Sequence, residues 1–515
     1  MNYDVIIVGA GSAGCVLAAR LSEDPGRSVL LLEAGPDYPD LDSLPPEIAS
    51  SYSAAYTHDW GYASEPGLLG RAIALRRAKL VGGCSATNAA LALRGTPQDY
   101  DGWSLLGNPG WSFAEVLPFF RRLESDADFE DRWHGREGPL PVRRYPANDL
   151  TPVQIAFLEA CAAGGYPRVH DHNAPGAMGA GPAPMNTISG IRQSAALTYL
   201  GQARHRPNLT IRSGVLVDHV LLEGRRAVGV RLARPADEVH YADRIILAAG
   251  SYGSPAILMR SGIGPAEHLK ALGIPVRVDL PGVGQNLADH SLFGLQFAAL
   301  PAALAEEPTI YFQTILTLKS SLATNAHELH IVHCSAYPVA PEQSPTGIVY
   351  LLLVSVMKPL SRGLLRLRSA DPAEAPVIDP GYFMHPDDMS RMIEVLRAAR
   401  QLSETPPLSE WTVQELYPGL RVSDTADLEA AVLAQVDTCH HPVSTCRMGP
   451  ATDATAVVDA RANVHVAENL SVIDASIMPA IPGANTNLPT IMLAERCTAW
   501  LMGISEDEEL QHESL

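Results

Sequence analysis

The chain has 515 residues, a formal net charge of −19, and 46% hydrophobic against 18% charged residues. This composition is typical of a globular enzyme large enough for two domains, and the negative charge argues against nucleic acids and anionic membrane surfaces as partners. No apolar run approaches the ~20 residues of a membrane span, and no basic-then-apolar leader precedes the first strand.

The cysteines indicate the compartment. Seven are scattered along the chain, an odd number without a CxxC pair. This usage is typical of a reducing compartment and argues against a zinc site or a disulfide framework. We therefore expect a cytoplasmic protein with no metal, whose acidic tail, Ser505–Leu515, is solvated.

The chain opens on a strand–turn–helix pattern that is typical of a dinucleotide site. An apolar run, Val5–Val8, leads into Gly9, Gly11 and Gly14. Gly9 makes the tight turn, Gly11 lets the backbone approach a pyrophosphate, and Gly14 lets the helix pack closely on the strand. The helix N-terminus then offers free N–H groups to the phosphates.

A second strand, Ser28–Leu32, ends at Glu33, nineteen residues after the last of these glycines. An acidic residue at this spacing should hold a ribose hydroxyl, and it would repel an additional 2′-phosphate. The next segment, Ala34–Gly70, is too rich in turn residues for another βαβ crossover. We expect it to lie over the cofactor.

A second glycine turn follows, in which Gly82 and Gly83 stand beside Cys84, Ser85 and Thr87. Such a backbone permits the close approach of a flat ring system. A plain loop-to-helix turn is the alternative that these residues leave open.

The middle of the chain is less regular. Residues Gly164–Gly190 lack periodicity and resemble a loop or lid. His170 and His172 within them lack a third metal ligand at suitable spacing. The histidines at 327, 330 and 333 lie in an alternating, strand-like segment in which a spacing of three places neighbours on opposite faces, so we expect core or surface histidines.

The strand patterns of different parts of the chain predict two different sheets. Short strands at Asn208–Arg212 and Val228–Ala233 precede a buried strand, Arg244–Gly250, that leads into a helix. From Leu292 to Thr405 strands follow strands, with a helix near Asp387–Leu402. We predict an α/β fold, with a Rossmann-like nucleotide domain and a substrate domain whose antiparallel sheet is backed by helices.

Four separated segments together resemble the glucose–methanol–choline (GMC) family of FAD-dependent oxidoreductases, and above all its bacterial alcohol oxidases and choline-dehydrogenase-like members. The segments are GAGSAG with Glu33, the Gly82–Ser85 turn, GSYGSPAILMRSGIG at 250–264, and the stretch from HHPVSTCRMG to NTNLPT. The resemblance spans nearly the whole chain.

The resemblance implies FAD, held without a covalent bond, because Thr87 stands where some relatives carry a tethering histidine. It implies contacts with the cofactor at Gly9, Gly11, Ser12, Ala13, Gly14, Glu33, Ala34, Gly82, Gly83, Ser85, Asn88, Val217, Asp474, Ala475 and Asn487. It also implies an FAD-binding domain over 1–155, 205–290 and 430–515, and a substrate-binding domain over 156–204 and 291–429.

The resemblance further implies a catalytic pair, His441 and Asn485, 44 positions apart. An imidazole that is neutral near pH 7 suits a general base, and a neutral amide can hold the substrate oxygen. If the chain is extended here, His440 points away from His441 and either edges the pocket or packs behind it, while Cys439 shares the side of His441.

Three departures from the family pattern are visible. Ala78 and Ser444 replace glycines that are frequent in relatives, and Asn286–Ser361, which should shape the substrate pocket, matches weakly. We therefore expect oxidation of a primary alcohol, in particular an aromatic or heteroaromatic one, by hydride transfer to flavin N5. The electron acceptor is oxygen or another carrier. The alternatives are a hydroxynitrile lyase, a light-driven decarboxylase, or a flavin-binding module without activity.

Overall fold

The computed structural model describes residues 2–305, 309–323 and 326–504, so the acidic tail lies outside the described residues. The strands are β1 (Asn2–Val8), β2 (Val29–Leu32), β3 (Glu124–Asp126), β4 (Leu140–Val142), β5 (Gly179–Pro182), β6 (Thr187–Ile188), β7 (Ile191–Arg192), β8 (Leu209–Arg212), β9 (Leu216–Glu223), β10 (Arg226–Arg234), β11 (Val239–Leu247), β12 (Ile263–Gly264), β13 (Val278–Asp279), β14 (Ser291–Ala299), β15 (Phe312–Leu318), β16 (Leu329–Pro338), β17 (Ile348–Val356), β18 (Leu364–Arg366), β19 (Val377–Asp379), β20 (Thr412–Tyr417), β21 (Asp437–Thr438) and β22 (Leu470–Val472). The helices are α1 (Ser12–Leu21), α2 (Pro46–Ala49), α3 (Pro97–Leu105), α4 (Phe113–Leu123), α5 (Pro152–Ala163), α6 (Gly201–Ala203), α7 (Gly250–Arg260), α8 (Ala266–Ala271), α9 (Pro386–Ser403), α10 (Leu408–Trp411), α11 (Thr425–Gln435) and α12 (Asn487–Met502).

The first sheet has the strand order β8-β2-β1-β11-β10-β9, with β22 beside β11. Its central strands β8, β2, β1, β11 and β22 pair in parallel, and β9 and β10 add an antiparallel edge. Ile6, Ile7 and Leu30 are fully buried, as expected for strands covered on both faces. The predicted Rossmann-like domain is confirmed, and the carboxyl ends of its parallel strands meet at one edge, where such folds bind nucleotides.

The second sheet has the order β20-β14-β17-β16-β15-β5, with β21 beside β14, and all its pairs are antiparallel. Helices α5 and α9 pack on it. The predicted antiparallel sheet backed by helices is therefore confirmed.

The loop-or-lid prediction for residues 164–190 is wrong at Gly179–Pro182, which form the edge strand β5. A side chain at Gly179 would place its Cβ 2.1 Å from the carbonyl oxygen of Pro167, and one at Gly181 would place it 2.0 Å from that of Val169. Glycine is needed for this close backbone approach, so the strand carries no alternating apolar pattern.

The strands of the first sheet fall within 2–32, 209–247 and 470–472, and most strands of the second fall within 179–182 and 291–417. One short strand, β21 at Asp437–Thr438, joins the second sheet from the segment that we assigned to the FAD-binding domain. The domain limits stay a prediction. Within the described ranges, none of the helices combines the length and apolar character that a membrane crossing needs.

Candidate active site

A cavity lies at the carboxyl edge of the parallel strands, and most of the predicted site residues line it. They are Gly9, Gly11, Ser12, Ala13, Glu33, Ala34, Gly83, Asn88, Val217, Cys439, His440, His441, Asp474, Ala475, Asn485 and Asn487. Residues 54–57, 59, 60 and 62, from the segment expected to cover the cofactor, also line it.

The two glycine turns abut at one end of the cavity. Gly9 has φ +100°, and helix α1 begins after Gly11 without a side-chain cap on its N–H groups. A Cβ on Gly83 would lie 2.6 Å from the Cα of Gly11, so only glycine lets the turns approach this closely. Uncapped N–H groups at a helix N-terminus fit a pyrophosphate. The Oγ of Ser12 donates to Asn487 Oδ1 at 2.7 Å and ties α1 to α12.

Three predicted cofactor contacts, Gly14, Gly82 and Ser85, do not line this cavity. A Cβ on Gly14 would lie 1.9 Å from the carbonyl oxygen of Gly9, so Gly14 lets the helix pack on the strand. Gly82 makes a left-handed turn at φ +101°, and the buried hydroxyl of Ser85 donates to its carbonyl oxygen. These residues shape the two turns, and their contact with the cofactor stays a prediction.

Glu33 is buried at the end of β2. Its Oε2 accepts from Ala10 N and its Oε1 accepts from Gly35 N, both at 2.9 Å. Burial raises the pKa of this carboxyl above its ordinary value. Each oxygen keeps a second lone pair, so the carboxylate can still accept from the hydroxyls of a ribose in the cavity.

Asp474 follows β22 and is engaged by its neighbours. Its Oδ2 accepts from Gly250 N at 2.9 Å and from the Ser254 hydroxyl, and its Oδ1 accepts from Ser476 N at 2.8 Å. Burial raises the pKa of this carboxyl. Asp474 therefore joins β22 to the start of α7 and fixes the cavity wall between them.

The predicted catalytic pair meets at the other end of the cavity. Asn485 Nδ2 lies 3.2 Å from His441 Nε2, and His441 Nδ1 lies 2.9 Å from Nδ1 of His290. Because an amide nitrogen only donates, Nε2 of His441 is the acceptor in this arrangement. The neutral ring then carries its proton on Nδ1 and donates it to His290, which leaves the Nε2 lone pair facing the cavity.

Asp289 and His290 are the functional residues that the sequence reasoning missed. Asp289 Oδ1 accepts from the backbone N of His441 at 2.8 Å, and its Oδ2 accepts from the hydroxyls of Tyr382 and Thr438. In the sequence these residues were marked only by being an adjacent Asp–His pair directly before the strand β14, within the segment that resembles the family least. These two residues hold the backbone and the ring of His441.

The surroundings of His441 keep its ring neutral. Burial lowers its pKa well below the ordinary value, and the nearby His290, Arg77 and His440 lower it further. The guanidinium of Arg77 donates to the carbonyl oxygen of His440 at 2.6 Å and so places a cation close to the ring. Burial also lowers the pKa of His290 to about 3, so the partner of His441 is neutral as well.

The chain is not extended at His440, where φ is +62°. The assumption of an extended backbone at His440 is therefore wrong, and both His440 and His441 line the cavity, which agrees with the first of the two positions predicted for His440. Cys439 turns toward the second sheet, with its Sγ 3.3 Å from the Oγ of Ser355. A positive φ is unfavourable for a residue with a side chain, and the bond from Arg77 to the His440 carbonyl helps to hold it.

The two glycine replacements are accommodated differently. Ser444 adopts φ +73°, the left-handed conformation that glycine favours, and its hydroxyl donates to the carbonyl oxygen of Met478 at 2.7 Å. Ala78 lies on the cavity wall without a positive φ.

Away from the cavity, Glu124, Asp126 and His134 bring ligand atoms within 4.8 Å of one another, as a metal site would. Two arginines already pair with these acids. Arg94 lies 2.7 Å from Glu124, and Arg144 bonds Asp126. The cluster is an ion network in which protein cations neutralise the carboxylates.

The chain matches the family models described as GMC oxidoreductase over residues 3–292 and 359–494. It is 37% identical to human mitochondrial choline dehydrogenase, over 98% of this chain and 90% of that protein. It is 38% identical to oxygen-dependent choline dehydrogenase 1 of Chromohalobacter salexigens, over 96% and 94%. Among solved structures, pyridoxine 4-oxidase from Mesorbium loti is 34% identical, with a TM-score of 0.90 over 98% of this chain and 100% of that one.

Proposed function

The chain belongs to the GMC oxidoreductase family, whose members use FAD to oxidise CH–OH donors, and we propose that it converts a primary aromatic or heteroaromatic alcohol to the aldehyde. His441 is the general base in this proposal, and Asn485 holds the substrate oxygen. The observation that carries it is the His441–Asn485 contact at the cavity, with Nε2 of His441 as the acceptor.

When bound, FAD supplies the hydride acceptor at flavin N5. The residues of the chain supply the proton chemistry. As the carbinol hydrogen leaves with its electron pair, the hydroxyl proton passes to Nε2 of His441, which now accepts from the alcohol in place of Asn485. The Asn485 amide donates to the substrate oxygen, and His290 holds the proton on Nδ1 of His441 so that Nε2 stays the basic atom.

The substrate class is supported by the relatives. Pyridoxine 4-oxidase acts on a heteroaromatic alcohol, as its name states, and it resembles this chain over its full length. Choline dehydrogenases, which resemble the chain as strongly, oxidise an alcohol whose body is a quaternary ammonium group. The relatives also differ in electron acceptor, since some are named as oxygen-dependent. The electron acceptor in this proposal is oxygen or another carrier.

We also propose that the flavin is not covalently attached and that the protein is cytoplasmic. Thr87 lines the cavity in the turn where tethered relatives carry histidine. All seven cysteines lie in the described ranges and all are free, as expected in a reducing compartment.

The function is tested by anaerobic titration of the purified yellow holoenzyme with a panel of alcohols. We expect primary aromatic or heteroaromatic alcohols to bleach the flavin and to yield the aldehyde in equal amount. A flavin that no alcohol bleaches would exclude the proposed reaction. Acid precipitation of the same sample should release the flavin into the supernatant, and flavin retained in the pellet would show a covalent bond.

A further inference from the structure

We infer that Lys358 is a positioning residue for the catalytic Asn485. It acts by fixing the loop at 480–484, which directly precedes the asparagine, and Asp99 and His327 share this role. The inference rests on the proposed alcohol oxidation and deepens it, because Asn485 holds the substrate oxygen in that reaction. The three side chains bond the backbone of the loop and are not among the residues that line the cavity.

The loop that carries Asn485 has no regular structure of its own. It lies between a short turn at Ala475–Ile477 and α12, which begins at Asn487. Residues 481–484 are buried, and the Nδ2 of Asn485 lies 3.2 Å from Nε2 of His441. Because the polar groups of a buried backbone need partners, a loop outside helices and strands depends on side chains for its shape.

Three side chains supply these partners. The Nζ of Lys358 donates to the carbonyl oxygen of Ile481 at 2.9 Å. The Oδ2 of Asp99 accepts from Gly483 N at 3.1 Å. The Nε2 of His327 lies 3.2 Å from the carbonyl oxygen of Gly483, and because a carbonyl only accepts, the ring is the donor. The loop is therefore bonded at both backbone polar groups of Gly483 and at the carbonyl of Ile481.

The three side chains come from segments that are far apart in the chain. Asp99 belongs to α3, Lys358 follows β17, and His327 precedes β16. They meet at Gly483. A Cβ there would lie 3.5 Å from Asp99 Oδ2, 3.7 Å from the Cδ of Lys358 and 3.7 Å from the backbone oxygen of His327. Two of the three partners thus come from the ends of strands in the second sheet and connect the position of Asn485 to that sheet.

Lys358 is the central member of the three, because it also bonds Asp99. Its ammonium group pairs with Oδ1 of Asp99, whose side chain is 3% exposed. Burial raises the pKa of this carboxyl, but Lys358 and two backbone N–H donors outweigh burial and lower the pKa below its ordinary value. Without the lysine, a buried carboxylate would lose its bonded cation and the loop would lose its bond at Ile481. Lys358 therefore supports the loop both directly and through Asp99.

The position of the loop matters because the amide of Asn485 contributes only when it is aimed at the substrate oxygen. A misplacement of about 1 Å in a catalytic arrangement can cost about 10²-fold in rate. Lys358 reaches the reaction only through the loop. Loosening it should slow the step in which Asn485 takes part, while FAD stays bound at the glycine turns.

The test is a double-mutant cycle in the holoenzyme. With an alcohol that wild type oxidises, Lys358→Met should lower the rate of anaerobic flavin reduction by about tenfold, equal to about 1.4 kcal/mol. In the Asn485→Ala background the same substitution should cost less than about twofold, because the group that the loop positions is already gone. Lys358→Arg keeps a cation and a donor and should retain most of the rate. The matched control is Lys270→Met, which breaks an exposed ion pair with Glu267 at 2.7 Å and should leave the rate unchanged.

Hydrogen–deuterium exchange gives a readout that does not depend on catalysis. The peptide that covers 480–486 should exchange faster in Lys358→Met than in wild type, because exchange follows local opening of the backbone. Lys358→Arg and Lys270→Met should exchange as wild type does. Unchanged exchange in Lys358→Met would overturn the inference by itself.

The kinetic outcomes separate the inference from the proposed function. An equal loss of rate in both backgrounds would show that Lys358 acts on another group, and no loss in Lys358→Met would show that the loop does not need the lysine. Either result overturns the inference and leaves the proposed function standing. A wild-type flavin that no alcohol reduces would overturn the proposed function, and exchange would still report on the loop.

A second pair of variants serves if Lys358→Met does not retain FAD. His327→Leu removes the donor to Gly483, and His327→Gln keeps a donor at about the same place. Only the leucine variant should lose rate and exchange faster at 480–486. Equal behaviour of the two variants would overturn the inference.

Discussion

Two interior histidines of this protein have opposite electrostatic surroundings. The ring of His134 lies 2.9–3.1 Å from the carboxylates of Glu124, Asp126 and Asp171. Burial opposes its protonation, but the hydrogen bonds to these acids outweigh burial and raise its pKa to about 11. The ring nitrogens of His441 contact a neutral imidazole and a neutral amide, and burial lowers its pKa.

The difference shows what separates a structural histidine from a base. A histidine surrounded by carboxylates is a permanent cation, and it holds chain segments together as an arginine would. A histidine with only neutral partners keeps one ring nitrogen unprotonated at neutral pH, which a general base needs. Among the residues that the structure describes, the absence of a carboxylate at the ring of His441 is therefore as informative as the presence of the imidazole.

The largest expected effect comes from removing the neutral histidine, His441. His441→Ala should fold and retain FAD but lose roughly 10²–10⁴ in the rate of flavin reduction, or about 2.7–5.4 kcal/mol of barrier. The measurement is anaerobic stopped-flow at saturating alcohol, with FAD content as the folding check. His440→Ala is the control, and we expect it to change substrate affinity or stability more than the rate. A larger rate defect in His440→Ala would assign the base to His440.

Disrupting the buried ion network around His134 should lower the stability of the protein and leave the rate of flavin reduction unchanged. Arg144 bonds Asp126 and lies 2.7 Å from Asp171, and all three side chains are buried. Arg144→Met removes one of the cations that neutralise the buried carboxylates of Asp126 and Asp171, which costs about 3–5 kcal/mol in the free energy of unfolding. The control is Arg136→Met, whose partner Glu130 is exposed at 3.4 Å, with an expected cost below about 1 kcal/mol. Urea unfolding measures both, and equal costs would show that burial adds nothing here.

The same ion network predicts the pH range in which the protein is most stable. The pKa of Asp171 is lowered to about 2 from 3.8, so its contribution is full above pH 3.8 and is lost as the pH falls toward 2. The pKa of His134 is raised to about 11 from 6.5, so its contribution is full below pH 6.5 and declines as the pH rises toward 11. The free energy of unfolding of wild type should therefore be highest between these two limits, and a value that stays constant in urea unfolding from pH 3 to pH 9 would contradict this.

The comparison also shows what the sequence could predict. The strand Val5–Val8 and its glycine turn were predictable because the apolar run and the glycine spacing are local properties of the chain. The pair His441 and Asn485 was found through the family resemblance, since nothing local marks a base. His290 was missed because its contact with His441 spans 151 positions and depends on the pairing of β14 with β21.

Side-chain direction was the least predictable feature. Ser85 lies in the turn that the sequence identifies, yet its hydroxyl is turned inward to the carbonyl oxygen of Gly82. At His440 a positive φ breaks the alternation of an extended chain, and no glycine marks that position. Both outcomes depend on contacts with distant segments, which a sequence pattern does not contain.

Glu33 is the acidic counterpart of His441, because it is buried at the cavity and no cation within the described part of the chain bonds it directly. Its two bonds come from the backbone N–H groups of Ala10 and Gly35. If the carboxylate also accepts from the ribose, Glu33→Ala should weaken FAD binding by about 1.5–3 kcal/mol and leave the reduction rate of FAD-loaded protein nearly unchanged. Fluorescence titration of the apoprotein measures the affinity. Unchanged affinity with a slower reaction would exclude the ribose contact.

The smallest expected effect comes from placing a carboxylate beside the ring of His441, as the ring of His134 has. In wild type the lowered pKa places the loss of rate below pH 6.5, because the base is protonated only in more acidic solution. His290 is the position to change, since its Nδ1 lies 2.9 Å from that of His441. The Oδ atoms of Asp and Asn occupy about the place of a histidine Nδ1, so both can accept the same proton.

His290→Asp should therefore raise the pKa of His441, because a carboxylate favours the imidazolium that it bonds. The acid limb of the flavin-reduction profile should move to higher pH by about one unit, equal to about 1.4 kcal/mol. His290→Asn keeps the acceptor but adds no charge, so its acid limb should stay near that of wild type. The measurement is the reduction rate from pH 5 to pH 9 at saturating alcohol, with FAD content as the folding check. If the two variants share one profile, the charge at this position does not reach the base, and the contrast with His134 does not explain the reactivity of His441.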